Sequence, residues 1–170
     1  MTSTFRREPA DGAHPAAGRR SRTRQLLRRL AALACRYRHS STTVLRVCVG
    51  VVFCWFGVLK FFPGASAAEG VAVHAMTRMT FGLVPAQASL LMLAVLEAAI
   101  GLGLITKMML RYALAAFFLH MAGVFLTLLL LPGDMWHTYG AVPTLEGQYA
   151  IKNLVLVAAC LHIAAEELAP

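Results

Sequence analysis

Residues 86–131 read AQASLLMLAVLEAAIGLGLITKMMLRYALAAFFLHMAGVFLTLLLL. Two apolar runs, Ala86–Ile105 and Leu110–Leu131, are divided only by Thr106–Met109, which holds Lys107, and Arg111 follows directly. Each run has about the 20 residues that a helix rising 1.5 Å per residue needs to cross a hydrocarbon core about 30 Å thick. Backbone polar groups at that depth must be satisfied within the segment, so the expected form is a helical hairpin with a tight turn. Pro85 stands where a helix begins, and Pro132-Gly133 closes the second run.

Two further runs flank this hairpin. Val44–Phe62 is closed by Pro63-Gly64, and Tyr149–Ala165 is shorter, with Lys152 and Asn153 in its first turn. Those polar groups suit headgroup depth, where a lysine stem can carry its charge outward. Composition agrees: 58% of residues are hydrophobic and 14% charged, against about 25% charged in a soluble domain. The expected fold is all-α, a four-helix transmembrane bundle over residues 44–165, with helices at about 44–62, 86–105, 110–131 and 149–165. The first run is not expected to be a cleaved signal, because the basic region before it is long and Lys60-Phe61-Phe62 does not suit a cleavage site.

Charge is segregated. Residues 1–38 contain Arg6, Arg7, Arg19, Arg20, Arg22, Arg24, Arg28, Arg29, Arg36 and Arg38 against Glu8 and Asp11, which accounts for the whole formal charge of +8. Residues 1–43 thus form a basic tail. It is expected to be disordered to about Thr23. From there to Arg38, Leu26, Leu27, Leu30, Leu33, Ala34 and Tyr37 recur among arginines. That pattern fits an amphipathic helix on anionic headgroups or a continuation of the tail. The tail has no lysine, few aromatics and no nucleic-acid reading motif, which argues against a nucleic-acid partner. Lys107 and Arg111 would share its side of the membrane, whereas the 63–85 loop has only Arg78 and the 132–148 loop has no basic residue. The positive-inside rule then places both termini in the cytoplasm of a cell that keeps the protein in its cytoplasmic (inner) membrane.

The outer loops are not featureless. Ala68, Val71, Ala72, Ala75, Met76 and Met79 repeat at helical spacing, which predicts a helix over 67–80 at the outer interface. Trp136, Tyr139 and Tyr149 match an aromatic belt. Cys35, Cys48, Cys54 and Cys160 lack metal or redox spacing and read as small packing residues.

A charged group at the centre of a spanning helix costs at least about 2.5–3.5 kcal/mol, so each needs a reason. Arg46, Gly50, Phe53, Gly57 and Lys60 share one face of the first helix; Ala94, Glu97 and Gly101 share one on the second. Ala113, Ala116, His120, Gly123 and Thr127 form a stripe on the third, and Lys152 or Asn153 with Leu156 and Cys160 on the fourth. By helical rise Glu97 lies roughly 16 Å from the outer edge and His120 roughly 15 Å from the inner one, so both sit near the midplane. The expected polar core comprises Arg46, Lys60, Glu97, His120, Lys152 and Asn153. In it Glu97 pairs with His120, Lys60 and Lys152 cap the outer mouth, and Arg46 approaches Glu97 from below. Glu97–His120 reads either as a buried pair that fixes helix register or as a protonatable site. Lys60 with Lys152 is a candidate anion or quinone-headgroup site.

Leu45-Arg46 leading to Gly50, then Trp55-Phe56-Gly57-Val58-Leu59-Lys60-Phe61, resembles the first helix of the DoxX-like family of small bacterial membrane proteins, in its YkgB-like branch. Glu97-Ala98-Ala99-Ile100-Gly101-Leu102-Gly103-Leu104 resembles its second helix, and Glu146-Gly147-Gln148-Tyr149-Ala150-Ile151-Lys152-Asn153-Leu154 the start of its fourth. The similarity covers about residues 44–165 and leaves the tail outside. It implies a four-helix bundle associated with redox or oxidative-stress functions, in which some members look like quinone-linked oxidoreductase subunits and others like membrane anchors of soluble redox enzymes. The positions it carries over are Arg46, Lys60, Glu97, Lys152 and Asn153.

The chain has no haem attachment motif, iron–sulfur spacing or dinucleotide fingerprint. No cofactor or metal is therefore evident, with quinone the one possible ligand. The expectation is a non-enzymatic component or anchor of a redox or stress system, whose partner is a soluble redox enzyme or a second copy of the chain. The alternatives are a quinone-linked oxidoreductase subunit and a small-molecule or proton transporter, the latter without the repeated halves usual in transporters.

Overall fold

The computed structural model describes residues 15–62, 64–66, 69–138 and 141–168. Among the described residues six helices run in the order α1 (Pro15–Leu59), α2 (Glu69–Met79), α3 (Ala86–Thr106), α4 (Leu110–Leu130), α5 (Pro132–Met135) and α6 (Leu145–Glu167). The chain divides into two units, residues 1–40 and 41–170.

In the first unit the backbone is helical from Pro15 to Ser40. Residues 15–23, within the stretch expected to be disordered, have helical backbone, and residues 1–14 lie outside the described residues. Pro15 opens the helix, and Ala, Arg, Gln and Leu, all strong helix formers, dominate its next turns. Leu27, Leu30, Leu33 and Tyr37 are each about 60% exposed.

Among the described residues four helices are long and apolar enough to cross a membrane: Ser40–Leu59, Ala86–Thr106, Leu110–Leu130 and Leu145–Glu167. They make this an all-α, multi-pass membrane bundle. The fourth is longer than the expected 149–165 run because it starts a turn earlier. Thr144 caps it by accepting a hydrogen bond from the Gly147 amide at 3.1 Å, with Glu146 in the first turn. At the other end of the hairpin, α3 and α4 meet in the expected tight turn, where Lys107 and Met109 both adopt the left-handed conformation.

Only small residues allow α1 and α3 to approach so closely. A Cβ on Gly101 would lie 2.6 Å from both the Cys54 amide nitrogen and the Gly50 carbonyl oxygen, and one on Gly57 would lie 2.7 Å from the Ala98 nitrogen. Arg46, Gly50, Phe53 and Gly57 are buried along this contact, as are Ala94, Glu97 and Gly101 opposite. On α4 the buried line is Leu110, Leu114, Phe117, Met121 and Thr127. Of the expected stripe, Thr127 is buried, the His120 side chain is 10% exposed, and Ala113, Ala116 and Gly123 are half-buried.

The connections fold over one end of the bundle. The helix expected over 67–80 is α2, whose Ala75 is buried with Leu131, Met135 and Ala150; Ala67 and Ala68 lie outside the described residues. The 132–148 loop contains the short α5, and its Trp136 donates Nε1–H to the Leu128 carbonyl at 3.0 Å. Tyr139 lies outside the described residues. We call this end, with α2 and α5, the cap end, and the opposite one, with Lys107–Met109, the turn end.

Gly101→Val forces the α1–α3 contact apart and is expected to cost about 2–3 kcal/mol. Gly123→Ala, whose added Cβ meets nothing within 4 Å, should be neutral or stabilising by up to about 1 kcal/mol. Reversible unfolding in mixed micelles distinguishes the two. Equal stability losses would show that the close approach at Gly101 is not limiting.

Candidate intramembrane polar site

The site is built from three helices. Gly57 sets the α1 backbone against Glu97 and Ala98 of α3. Beyond it α1 tightens into i→i+3 bonds, Lys60 N–H to the Gly57 carbonyl at 3.2 Å and Phe61 N–H to Val58 at 3.1 Å. From this last turn Lys60 sends its ammonium inward. Its Nζ lies 2.6 Å from Glu97 Oε2, and His120 Nε2 of α4 lies 3.3 Å from Glu97 Oε1. The three side chains are only 6%, 9% and 10% exposed. The Phe53 ring stands edge-on to His120 with centroids 6.0 Å apart, and also packs on Phe117 at 5.1 Å.

Electrostatics explains the grouping. A lone carboxylate or ammonium at this depth would be expensive, whereas the pair carries no net charge and each carboxylate oxygen has its own partner. His120 Nε2, 3.3 Å from Oε1, places a polar group beside the second carboxylate oxygen. The expected Glu97–His120 contact is thus present, and Lys60 joins it instead of turning toward the headgroups.

Other expected members go elsewhere. Lys152 is exposed, with Nζ 5.1 Å from the Tyr149 ring centre, so it does not share a mouth with Lys60. Its neighbour Asn153 is half-buried, and its side chain hydrogen-bonds to no other described residue. Arg46 is buried but does not approach Glu97: it donates to the carbonyls of Leu104 and Ile105 (3.0 Å to the latter) and lies 3.5 Å from Glu167 Oε1. At 3.5 Å the Arg46 Nε contact is a charge interaction without hydrogen-bond geometry. Lys107 also pairs with Glu167. Arg46 therefore caps the carbonyl end of α3, where a cation is favoured by the helix dipole.

Glu167 was not among the expected site residues. Its signal lay in Glu166-Glu167, an acidic pair at a helix C-terminus, where the dipole disfavours it unless cations are near. Ser89 was also missed. It is fully buried on the inward face of α3, eight residues toward the cap end from Glu97, and among the described residues its Oγ has no hydrogen-bond partner. A buried hydroxyl left unpaired costs about 1–3 kcal/mol.

The buried residues are consequently layered. At the turn end lies the Arg46–Glu167–Lys107 cluster, followed by an apolar layer that includes Val49, Phe53, Ile100, Leu104, Leu114, Phe117, Cys160 and Ile163. The Lys60–Glu97–His120 triad comes next, then Ser89 and Thr127, and last the small cluster under α2 and α5. No family model, curated protein or solved structure matches the chain.

Lys60→Met leaves the Glu97 charge buried without its ammonium and should cost about 3–5 kcal/mol. Adding Glu97→Gln to the same chain removes the stranded charge and should restore most of that loss. Unfolding of both variants in micelles tests this double-mutant cycle. Additive losses would mean that the two groups do not depend on each other.

Proposed function

We propose that this chain is a non-enzymatic component of a redox or oxidative-stress system, a small scaffold or anchor in the cytoplasmic (inner) membrane of a bacterium. The observation that carries the scaffold reading is the triad itself. Lys60, Glu97 and His120 come from three different helices and direct their polar groups at one another, as groups that set helix register do. The redox context rests on the resemblance of the α1, α3 and α6 motifs to the DoxX-like family. A quinone headgroup held between Lys60 and Lys152 is disfavoured, since one ammonium is committed to Glu97 and the other lies over Tyr149.

Both termini are assigned to the cytoplasm on the distribution of arginine and lysine. The ten tail arginines and the Lys107–Arg111 turn lie on one side, where the tail would meet anionic headgroups. A soluble redox enzyme or a second copy of the chain is the partner this reading calls for. Alkaline phosphatase fused after Pro170 should be inactive, and fused within residues 138–142 active; the reverse pattern would invert the topology.

The function is tested by oxidant survival of a deletion strain complemented with wild type or with Glu97→Gln. Rescue by both is expected when Glu97→Gln is carried together with Lys60→Met, which removes the ammonium that glutamine alone would leave buried without its partner. Rescue by wild type alone, with both proteins equally abundant in the membrane, would make Glu97 a functional carboxylate and favour the protonatable reading, to which His120 at 3.3 Å lends support. A deletion strain with no sensitivity would remove the redox context.

A further inference from the structure

The triad is not equally screened on its two sides. A lysine ammonium has three N–H donors, and among the described residues Lys60 finds one acceptor, Glu97 Oε2. Toward the cap end from Glu97 lies the Ser89 hydroxyl, wholly buried and without a partner. Thr127, seven residues from His120 in the same direction, is also buried and bonds only the Val124 carbonyl of its own helix, at 2.6 Å. Toward the turn end there is no comparable polar group until Arg46. The intervening side chains are Phe53, Ile100, Leu104, Leu114, Phe117 and Cys160, none more than 5% exposed.

We infer that water, or a neutral hydrogen-bond acceptor of similar size, reaches the Lys60 ammonium from the cap end and goes no further, so that the polar layer is a one-sided, dead-end site. Neutrality follows from the occupants. Glu97 beside the ammonium repels an anion, and the ammonium repels a cation. The direction follows from the residues that close each end. At the turn end the barrier is the aromatic and branched layer, with Phe53 and Phe117 in ring contact. At the cap end it is Ala75, Leu131, Met135 and Ala150, two of them alanines. Helix α2 there has only 11 residues and lies between Gly64 and Gly82, both in the left-handed conformation. The exposed His74–Asp134 contact at 3.1 Å links α2 to α5 across the surface. Small displacements of α2 would admit a solvent molecule, whereas opening the other side requires moving several packed side chains together. This inference does not depend on the redox reading. It also separates the site from a transport path, which would have to continue through the apolar layer.

The test uses thiol modification of the full chain in sealed lipid vesicles. Methyl methanethiosulfonate, small and neutral, is added to one side with an impermeant thiol on the other to consume what crosses, then the sides are exchanged, and the modified residue is located by peptide mass. His137→Cys reports the cap side and Met108→Cys the turn side, both exposed. Ser89→Cys is expected to react at least tenfold faster from the side that labels His137→Cys, while Leu104→Cys stays unmodified from both. Thr127→Cys should behave as Ser89→Cys and carries the test if the latter does not fold. Reaction at equal rates from both sides, reaction from the turn side, or no reaction at either polar position would overturn the inference.

Discussion

The contact between Lys60 and Glu97 depends on a glycine. Gly57 brings the α1 backbone against the Glu97 turn of α3, and only then can the lysine stem, one turn further on, deliver its ammonium to the carboxylate. In water such a pair would contribute little. At midplane depth each partner alone is costly, so each is retained by the presence of the other. The α1–α3 register, the position of His120 on α4 and the aromatic packing of Phe53 against Phe117 are all consistent with this one neutralised pair.

The same reasoning accounts for the turn end. A helix of apolar residues leaves its last carbonyls without partners, and α3 ends where lipid gives way to headgroups. Arg46, at the opposite end of the α1 face from Lys60, supplies donors to Leu104 and Ile105. Its charge is balanced by Glu167, which also engages Lys107 in the α3–α4 turn. One arginine of α1 thus joins the ends of two helices, α3 and α6. The two charged layers differ in character: this one borders the headgroup region, and the triad lies beneath the short helices of the cap end.

Between them, large side chains fill the apolar layer of the bundle. Leu114, Phe117, Met121, Ile100 and Leu104 interlock there. Gly50, Gly57 and Gly101 form the close α1–α3 seam, and Gly103 meets Ala113 of α4. Gly123 faces open space, so a stripe of small residues marks a close contact at some of its positions and not at others.

Hydropathy, run length and turn composition were enough to determine the four spans, the tight α3–α4 connection and the inward faces of α1 and α3, because a helix in lipid must satisfy its own backbone and hide its polar side chains. The mid-depth positions of Glu97 and His120 followed from helical rise alone. Which cation meets which acid was decided only by tertiary structure. Lysine and arginine stems are long enough to reach toward either end of the membrane, and periodicity specifies a face and a depth but not the direction of a flexible side chain. Thus Lys60 turned inward to Glu97, Lys152 turned outward to Tyr149, Arg46 went to the α3 terminus, and Glu167 entered from beyond the expected end of α6.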